Sequence, residues 1–328
     1  MSTRKLSAVV SHALVFATLF TGCSPMVRPM VQDGVGTALP LRNEVVSAVT
    51  LVAEPALFTT PVDSSPDPDG KIIYFTASGP TGAGLFRVPA AGGTVEAVAV
   101  GSPFQSPMGL AVSSDGAQVV VADTAADQLI LVATADGTAT PLTGSQHTAP
   151  RGVEVKNEAG AEMVYFSGTD ASDGQPAVWK IALAGGEATV VAKGAPLVEP
   201  MGVAIANDGA VYVADRSASG NGLGSVFRVL AGKVEAVAEN FRTGNFAGVT
   251  LTLDGSVLLA SALDAQRDSA QVLLIELGTG TKGMITKGVA QNSGSGGVHR
   301  AYNVNIFSWA DYRGKGGGGG GGVHRIDV

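Results

Sequence analysis

The chain has 328 residues, 45 of them glycine, with 21 Lys+Arg against 28 Asp+Glu and a formal net charge of −7. Apolar types make up 45% and charged types only 15%, which excludes intrinsic disorder, and the glycines follow no Gly-X-Y period, which excludes collagen. A single cysteine excludes an internal disulfide and a thiolate zinc cluster, and the acidic balance leaves no electrostatic footprint for nucleic acid.

At the N-terminus Arg4 and Lys5 precede an apolar run over residues 6–20, broken only by Ser7, Ser11, His12 and Thr18. A spanning helix takes about 20 apolar residues. This run is shorter and ends in small residues, so it reads as an export signal. Residues 20–23 (FTGC) then resemble the bacterial lipobox. The resemblance implies that residues 1–22 are a lipoprotein signal peptide and that Cys23 is acylated and becomes the mature N-terminus. Phe20 departs from the pattern, which usually has an aliphatic residue there. The alternative is an ordinary secretory peptide with a stray cysteine, but an exposed lone thiol is a liability in an oxidising compartment. Acyl chains bury about 0.8 kcal/mol per CH₂, so a multi-chain anchor on Cys23 would hold the protein to membrane lipid. Ser24 stands where the known inner-membrane retention residue would be Asp, which implies sorting to an outer membrane, facing the periplasm or the surface. Residues 23–43, with Pro25, Pro29 and Pro40, read as a flexible tether, and residues 44–328 as the folded domain.

The body of the chain repeats. Residues 107–116 (PMGLAVSSDG) are followed by 118–123 (QVVVAD), and residues 200–209 (PMGVAIANDG) by 211–215 (VYVAD). The same frame recurs around Gly152, Gly248 and, in degenerate form, Gly297, so the markers Gly109, Gly152, Gly202, Gly248 and Gly297 are spaced by 43, 50, 46 and 49 residues. An earlier copy with Asp69, Gly70 and the strand-like residues 72–75 and 85–88 makes six units. Each unit alternates short β-branched or aromatic runs with Asp-Gly and Gly-Gly turns, and four antiparallel strands at this period predict a propeller blade. The chain therefore predicts an all-β, six-bladed β-propeller. The last unit ends after a third-strand motif, residues 323–326, whereas residues 48–53 (AVTLVA) form an orphan outer strand. Pairing the two closes the ring by letting the N-terminal strand complete the C-terminal blade, and protects both edges.

The Pro-x-Gly-[Leu/Val]-Ala-[Val/Ile] frame, the Asp-Gly turn and the Val-x-Val-Ala-Asp run resemble NHL-repeat propellers and the senescence-marker/gluconolactonase group. In the latter, the resemblance implies a divalent metal in the central channel, bound by a Glu and by Asn and Asp oxygens, with Pro-Asn-Gly in the repeat. Here the matching positions are Met108, Arg151, Met201 and Ala247. Thioethers are poor ligands for a hard cation and a guanidinium repels it, so no metal or other cofactor is expected.

Aligning the units puts Ala111, Glu154, Ala204, Thr250 and His299 at one ring position. If that position faces the channel, Glu154 and His299 are its titratable pair, with Arg151 and Arg300 beside them in sequence. The four are candidate ligand-binding residues; the alternative is an ion pair or solvated groups lining a wet channel. Asp123, Asp215 and Asp311 each end a second strand, and their recurrence points to acceptance of turn N–H groups. Asp63, Asp67 and Asp69 read as an acidic hairpin turn, since their spacing misses the calcium-loop pattern. His147 and His324 lack metal-ligand spacing. Residues 316–322, all glycine, lack the Lys-Ser/Thr of a phosphate loop and read as a mobile hairpin loop. The functional expectation is a lipid-anchored envelope propeller acting as a binding or scaffolding module for a small ligand or an envelope protein, with a metal-dependent lactonase-like hydrolase or lyase of the central channel as the alternative.

Overall fold

The computed structural model describes residues 48–263, 270–285, 294–312 and 321–327. The export signal, Cys23, the tether, residues 44–47 and glycines 316–320 lie outside them. Six four-stranded antiparallel sheets form the blades. The innermost strands are Thr60–Pro66, Pro107–Val112, Val153–Glu158, Pro200–Ile205, Val249–Leu251 and Ser295–Arg300, one per blade. In the sixth blade the N-terminal strand Ala48–Ala53 pairs with Val323–Asp327, with a bulge between Leu51 and Ala53. The ring is therefore closed by the N-terminal strand, as the orphan motif predicts.

Both faces of a blade are covered by its neighbours, so its strands read as near-continuous apolar runs rather than alternating ones. Ala111, Val120 and Leu129 of the second blade pack on Val153, Phe166 and Trp179 of the third. Tyr165 and Val178 of the third pack on Val203, Val213 and Phe227 of the fourth. Equivalent cores join the remaining neighbours, and the closing strand contributes Val52 and Ala53 to the core around Phe58, Phe75 and Phe86 of the first blade. Fully burying a side chain of this size is worth roughly 1.5–3 kcal/mol, so sealing the ring is itself a sizeable part of stability.

The Asp-Gly turns between first and second strands do two jobs. Gly116, Gly209 and Gly255 take φ of +74°, +83° and +72°, which favours glycine. The aspartates before them cap the turn: Asp115, Asp208 and Asp254 accept the N–H groups of Ala117, Ala210 and Ser256. Asp123 likewise accepts from the backbone of Gln105, Ser106 and Ala126, and Asp215 from Val198, Glu199 and Ser217. The recurring strand-end aspartates Asp123 and Asp215 thus fasten the loop that enters the inner strand of their own blade.

The marker glycines have a different reason to exist. They form a ring where the inner strands converge on the axis, and a Cβ on any of them would strike the next blade. On Gly109 it would lie 2.5 Å from the Arg151 carbonyl oxygen, on Gly152 2.1 Å from that of Met201, and on Gly202 2.7 Å from that of Ala247. Backbone bonds cross at the same level, from Gly109 N–H to Arg151 O (2.8 Å) and from Gly202 N–H to Ala247 O (2.7 Å). Replacing Gly152 by Ala must push two blades apart and is expected to cost about 3 kcal/mol or more. Gly160, at φ +91° but with open space around its Cβ, should cost only about 1 kcal/mol on the same change. Chemical denaturation of the two variants checks this, and equal losses would contradict the crowding argument.

Candidate functional site on the propeller axis

The sixth place in the glycine ring is held by Asp63. It precedes Gly70 by the same spacing as Gly109 precedes Gly116, so the first blade carries a carboxylate where the others carry hydrogen. The structure therefore corrects the grouping of Asp63 with the acidic turn: Asp67 and Asp69 belong to the turn, where Asp67 accepts from Ile72 N–H at 3.0 Å, and Asp63 belongs to the inner strand. The absent side chain of Gly297 makes the room, since a Cβ there would lie 1.6 Å from Asp63 Oδ1. Asp63 is fully buried and fully partnered. Its Oδ1 accepts the N–H of Ser64 (2.8 Å), and its Oδ2 accepts the N–H of Leu110 (3.1 Å) and meets His299 Nε2 at 3.0 Å.

His299 reaches across the axis. It belongs to the sixth blade, and its Nδ1 lies 3.3 Å from Glu154 Oε2 in the third, the blade directly opposite. Its ring is 3% exposed, Asp63 0% and Glu154 21%, so the first two are sealed and the third reaches solvent. Burial pushes the imidazole down, but Asp63 first and Glu154 second outweigh it and hold it up at about 10. At neutral pH it is an imidazolium with both N–H groups engaged between two carboxylates. Glu154 is oriented further by the N–H of Val155, 3.0 Å from Oε1.

Above this bridge lies an open depression at the C-terminal ends of the inner strands, lined by Ser65, Glu154, Lys156, Thr250, Arg300 and Tyr302 among others. Arg300 commits its Nε to the Leu251 carbonyl (2.8 Å) and its Nη1 to carbonyls including that of Tyr302 (3.0 Å). Burial draws its pKa down and Glu154 opposes this. Lys156 Nζ meets Asn207 Oδ1 at 3.0 Å. Of the four candidate residues, Glu154, His299 and Arg300 come together. Arg151 does not: it precedes Gly152 at the N-terminal end of its strand, at the opposite mouth, where it donates to Thr169 Oγ1 at 3.0 Å.

The donor set can be tested against the metal that the family resemblance implies. At the Arg151 end the ring positions are Val62, Met108, Arg151, Met201, Ala247 and Gly296, and Met201 is buried in an apolar cluster against which Met108 and Val62 pack. These residues do not fit a hard cation. At the bridge the imidazole stands between the two carboxylates, one on each nitrogen, so their oxygens cannot converge on one ion. Among the described residues no three His, Cys, Asp or Glu side chains are grouped to hold a metal.

The other histidines stand apart. His147 is exposed beside Asp127, at 3.3 Å. His324 is buried against Trp309, ring centroids 4.8 Å apart, where burial lowers its pKa to about 4 and keeps it neutral.

No family model matches the sequence, and no curated protein does. Solved structures do share the fold. A gluconolactonase from Xanthomonas campestris superposes with a TM-score of 0.61 at 14% identity, covering 85% of this chain and 89% of that one. The PQQ-bound aldose sugar dehydrogenase of Streptomyces coelicolor gives 0.59 at 14% identity, covering 85% and 98%. A chain of a nidogen/laminin complex gives 0.58 at 15% identity, covering 75% and 86%. At these identities the likeness is one of fold, shared by a gluconolactonase, a sugar dehydrogenase and a nidogen/laminin complex alike.

Two outcomes check the bridge. His299→Ala strands two facing carboxylates and should cost about 3–5 kcal/mol, as loss of one member of a buried ion pair does. Because the folded pKa of His299 lies above its ordinary 6.5, its contribution is complete below about pH 6.5 and is lost as pH rises through about 10. Unfolding of wild type between pH 7 and pH 10.5 should show that alkaline loss, and His299→Ala should lack it; a loss of the same size in both proteins would contradict the assignment.

Proposed function

We propose that the protein is a binding module of the bacterial cell envelope, held to membrane lipid through an acylated Cys23, and that its ligand enters the depression at the axis. The observation that supports this reading is Glu154, a carboxylate fixed by an imidazolium and a backbone N–H, with one edge open to a pocket that also offers Lys156 and the hydroxyls of Ser65, Thr250 and Tyr302. Glu154 stands there with two cations, Lys156 and Arg300, but Lys156 is engaged by Asn207 and Arg300 has turned most of its donors to carbonyls. A small, neutral, hydroxylated molecule fits such a lining: its hydroxyls donate to Glu154 and accept from Lys156.

A second reading, hydrolysis of a sugar lactone at the axis, is supported by the fold neighbours named as a gluconolactonase and a sugar dehydrogenase. It would need Glu154 as the base that takes a proton from water. Glu154 already accepts from His299 and from the Val155 N–H, and that donor geometry favours binding while the fold neighbours favour hydrolysis.

Calorimetric titration with neutral monosaccharides and aldonolactones, together with an assay of lactone turnover, separates the two. Binding without turnover, weakened at least tenfold by Glu154→Ala, is the expected result. Turnover that Glu154→Ala abolishes would move the function to the second reading, and the absence of both binding and turnover would remove the site. The address is tested separately. Wild type should fractionate with membranes and Cys23→Ala with the soluble periplasmic content, and an unchanged distribution would contradict acylation.

A further inference from the structure

The mouth opposite the depression carries a guanidinium that no carboxylate of the described residues contacts directly. Elsewhere arginines hold carboxylates: Arg87 with Glu96 (2.8 Å), Arg216 with Glu199 (2.6 Å), Arg228 with Asp208 (2.8 Å) and Arg325 with Asp327 (2.5 Å). Arg300 is satisfied by carbonyl oxygens. Arg151 is partly buried and donates to a single side-chain partner, the Thr169 hydroxyl, and among the described residues no carboxylate lies within ion-pair distance of it. The acids on that side are already engaged: Glu199 by Arg216 at 2.9 and 2.6 Å and by Ser217 Oγ at 2.9 Å, and Asp215 by the backbone N–H groups of Val198, Glu199 and Ser217. Burial works most against the Arg151 charge; Glu199 and, more weakly, Asp215 support it from a distance, and Arg216 opposes it. A partly desolvated cation with another cation in range is unfavourable unless an anion completes it.

The surroundings indicate what kind of anion. The peptide of Arg151 lies between those of Gly109 and Met201, and the equivalent positions on the two flanking blades are Met108 and Met201. Thioether side chains are soft, polarizable and adaptable to an apolar group. The guanidinium offers a planar fork of donors suited to a planar carboxylate.

We infer that the N-terminal mouth of the channel is a second binding site, taking a small monocarboxylate whose carboxylate pairs with Arg151 and whose short apolar tail lies toward Met108. It is separate from the axial depression in place and in ligand chemistry, so either can fail without the other.

The natural variant for its test is Arg151→Met, because two neighbouring blades already carry methionine at this position and the fold accommodates it. Thermal unfolding would be followed at rising concentrations of butyrate, of the isosteric neutral butyramide, and of inorganic phosphate. Butyrate should raise the wild-type Tm in a saturable way, butyramide should not, and phosphate should act at least tenfold more weakly. In Arg151→Met the apparent Kd for butyrate should rise at least tenfold, and Arg151→Lys should retain part of the response. Equal responses to butyrate and butyramide, phosphate as effective as butyrate, or an unchanged response in Arg151→Met would each overturn the inference. Should the variant fail to fold, the comparison of the three probes on wild type decides it.

Discussion

Asp63 stands where five other blades carry glycine, with its carboxylate sealed among inner strands that have no space for a side chain. An unpaired carboxylate there would cost several kcal/mol. What makes it tenable is three donors: two backbone N–H groups and the His299 imidazole. The imidazole is held charged first by Asp63 and further by a second carboxylate across the axis, Glu154. The first, third and sixth blades are thereby tied through the centre of the ring by an acid–imidazolium–acid bridge. Gly297 is indispensable to it, since any side chain there would occupy the space of Asp63.

The bridge also explains why the two mouths differ. It stands on a level where the axis is already narrowed by glycine backbones, and it turns one edge of Glu154 toward the C-terminal mouth. On the other side Met201 is buried, with Met108 and Val62 packed against the same cluster, which leaves Arg151 as the charged member of its ring. One mouth is therefore polar and near charge balance, the other apolar with a cation. The shared architecture of gluconolactonase, sugar dehydrogenase and nidogen/laminin structures carries neither arrangement as a necessity, because a propeller supplies a ring of strand ends whose side chains are set blade by blade.

Much of the fold was legible because it is written six times. The Asp-Gly turns, the glycine markers and the orphan strand of residues 48–53 each follow from a local constraint that the sequence repeats, and blade count and closure follow from these. The axial site was only half legible. Alignment of the units placed Glu154 and His299 on one level. It did not bring in Asp63, because the first blade lacks the glycine that marks the others; the spacing from Asp63 to Gly70 was the available signal. Arg151 and Arg300 each lie near a bridge residue in sequence, yet they part company in space. A strand advances about 3.3 Å per residue, so Arg151 is roughly 10 Å from Glu154 along its strand and at the other end of the channel. Adjacency in sequence fixes distance along the axis, and only knowledge of which strand end is which assigns a mouth.

Everything turns on His299 being a charged imidazolium at neutral pH, held so by carboxylates from the first and third blades, one at each ring nitrogen. Heteronuclear NMR of the histidine side chains reports this directly, through the ¹⁵N shifts of Nδ1 and Nε2. His299 is predicted to keep two protonated nitrogens at pH 8 and to titrate near 10. A neutral His299 ring at pH 8, with one nitrogen unprotonated, would contradict it.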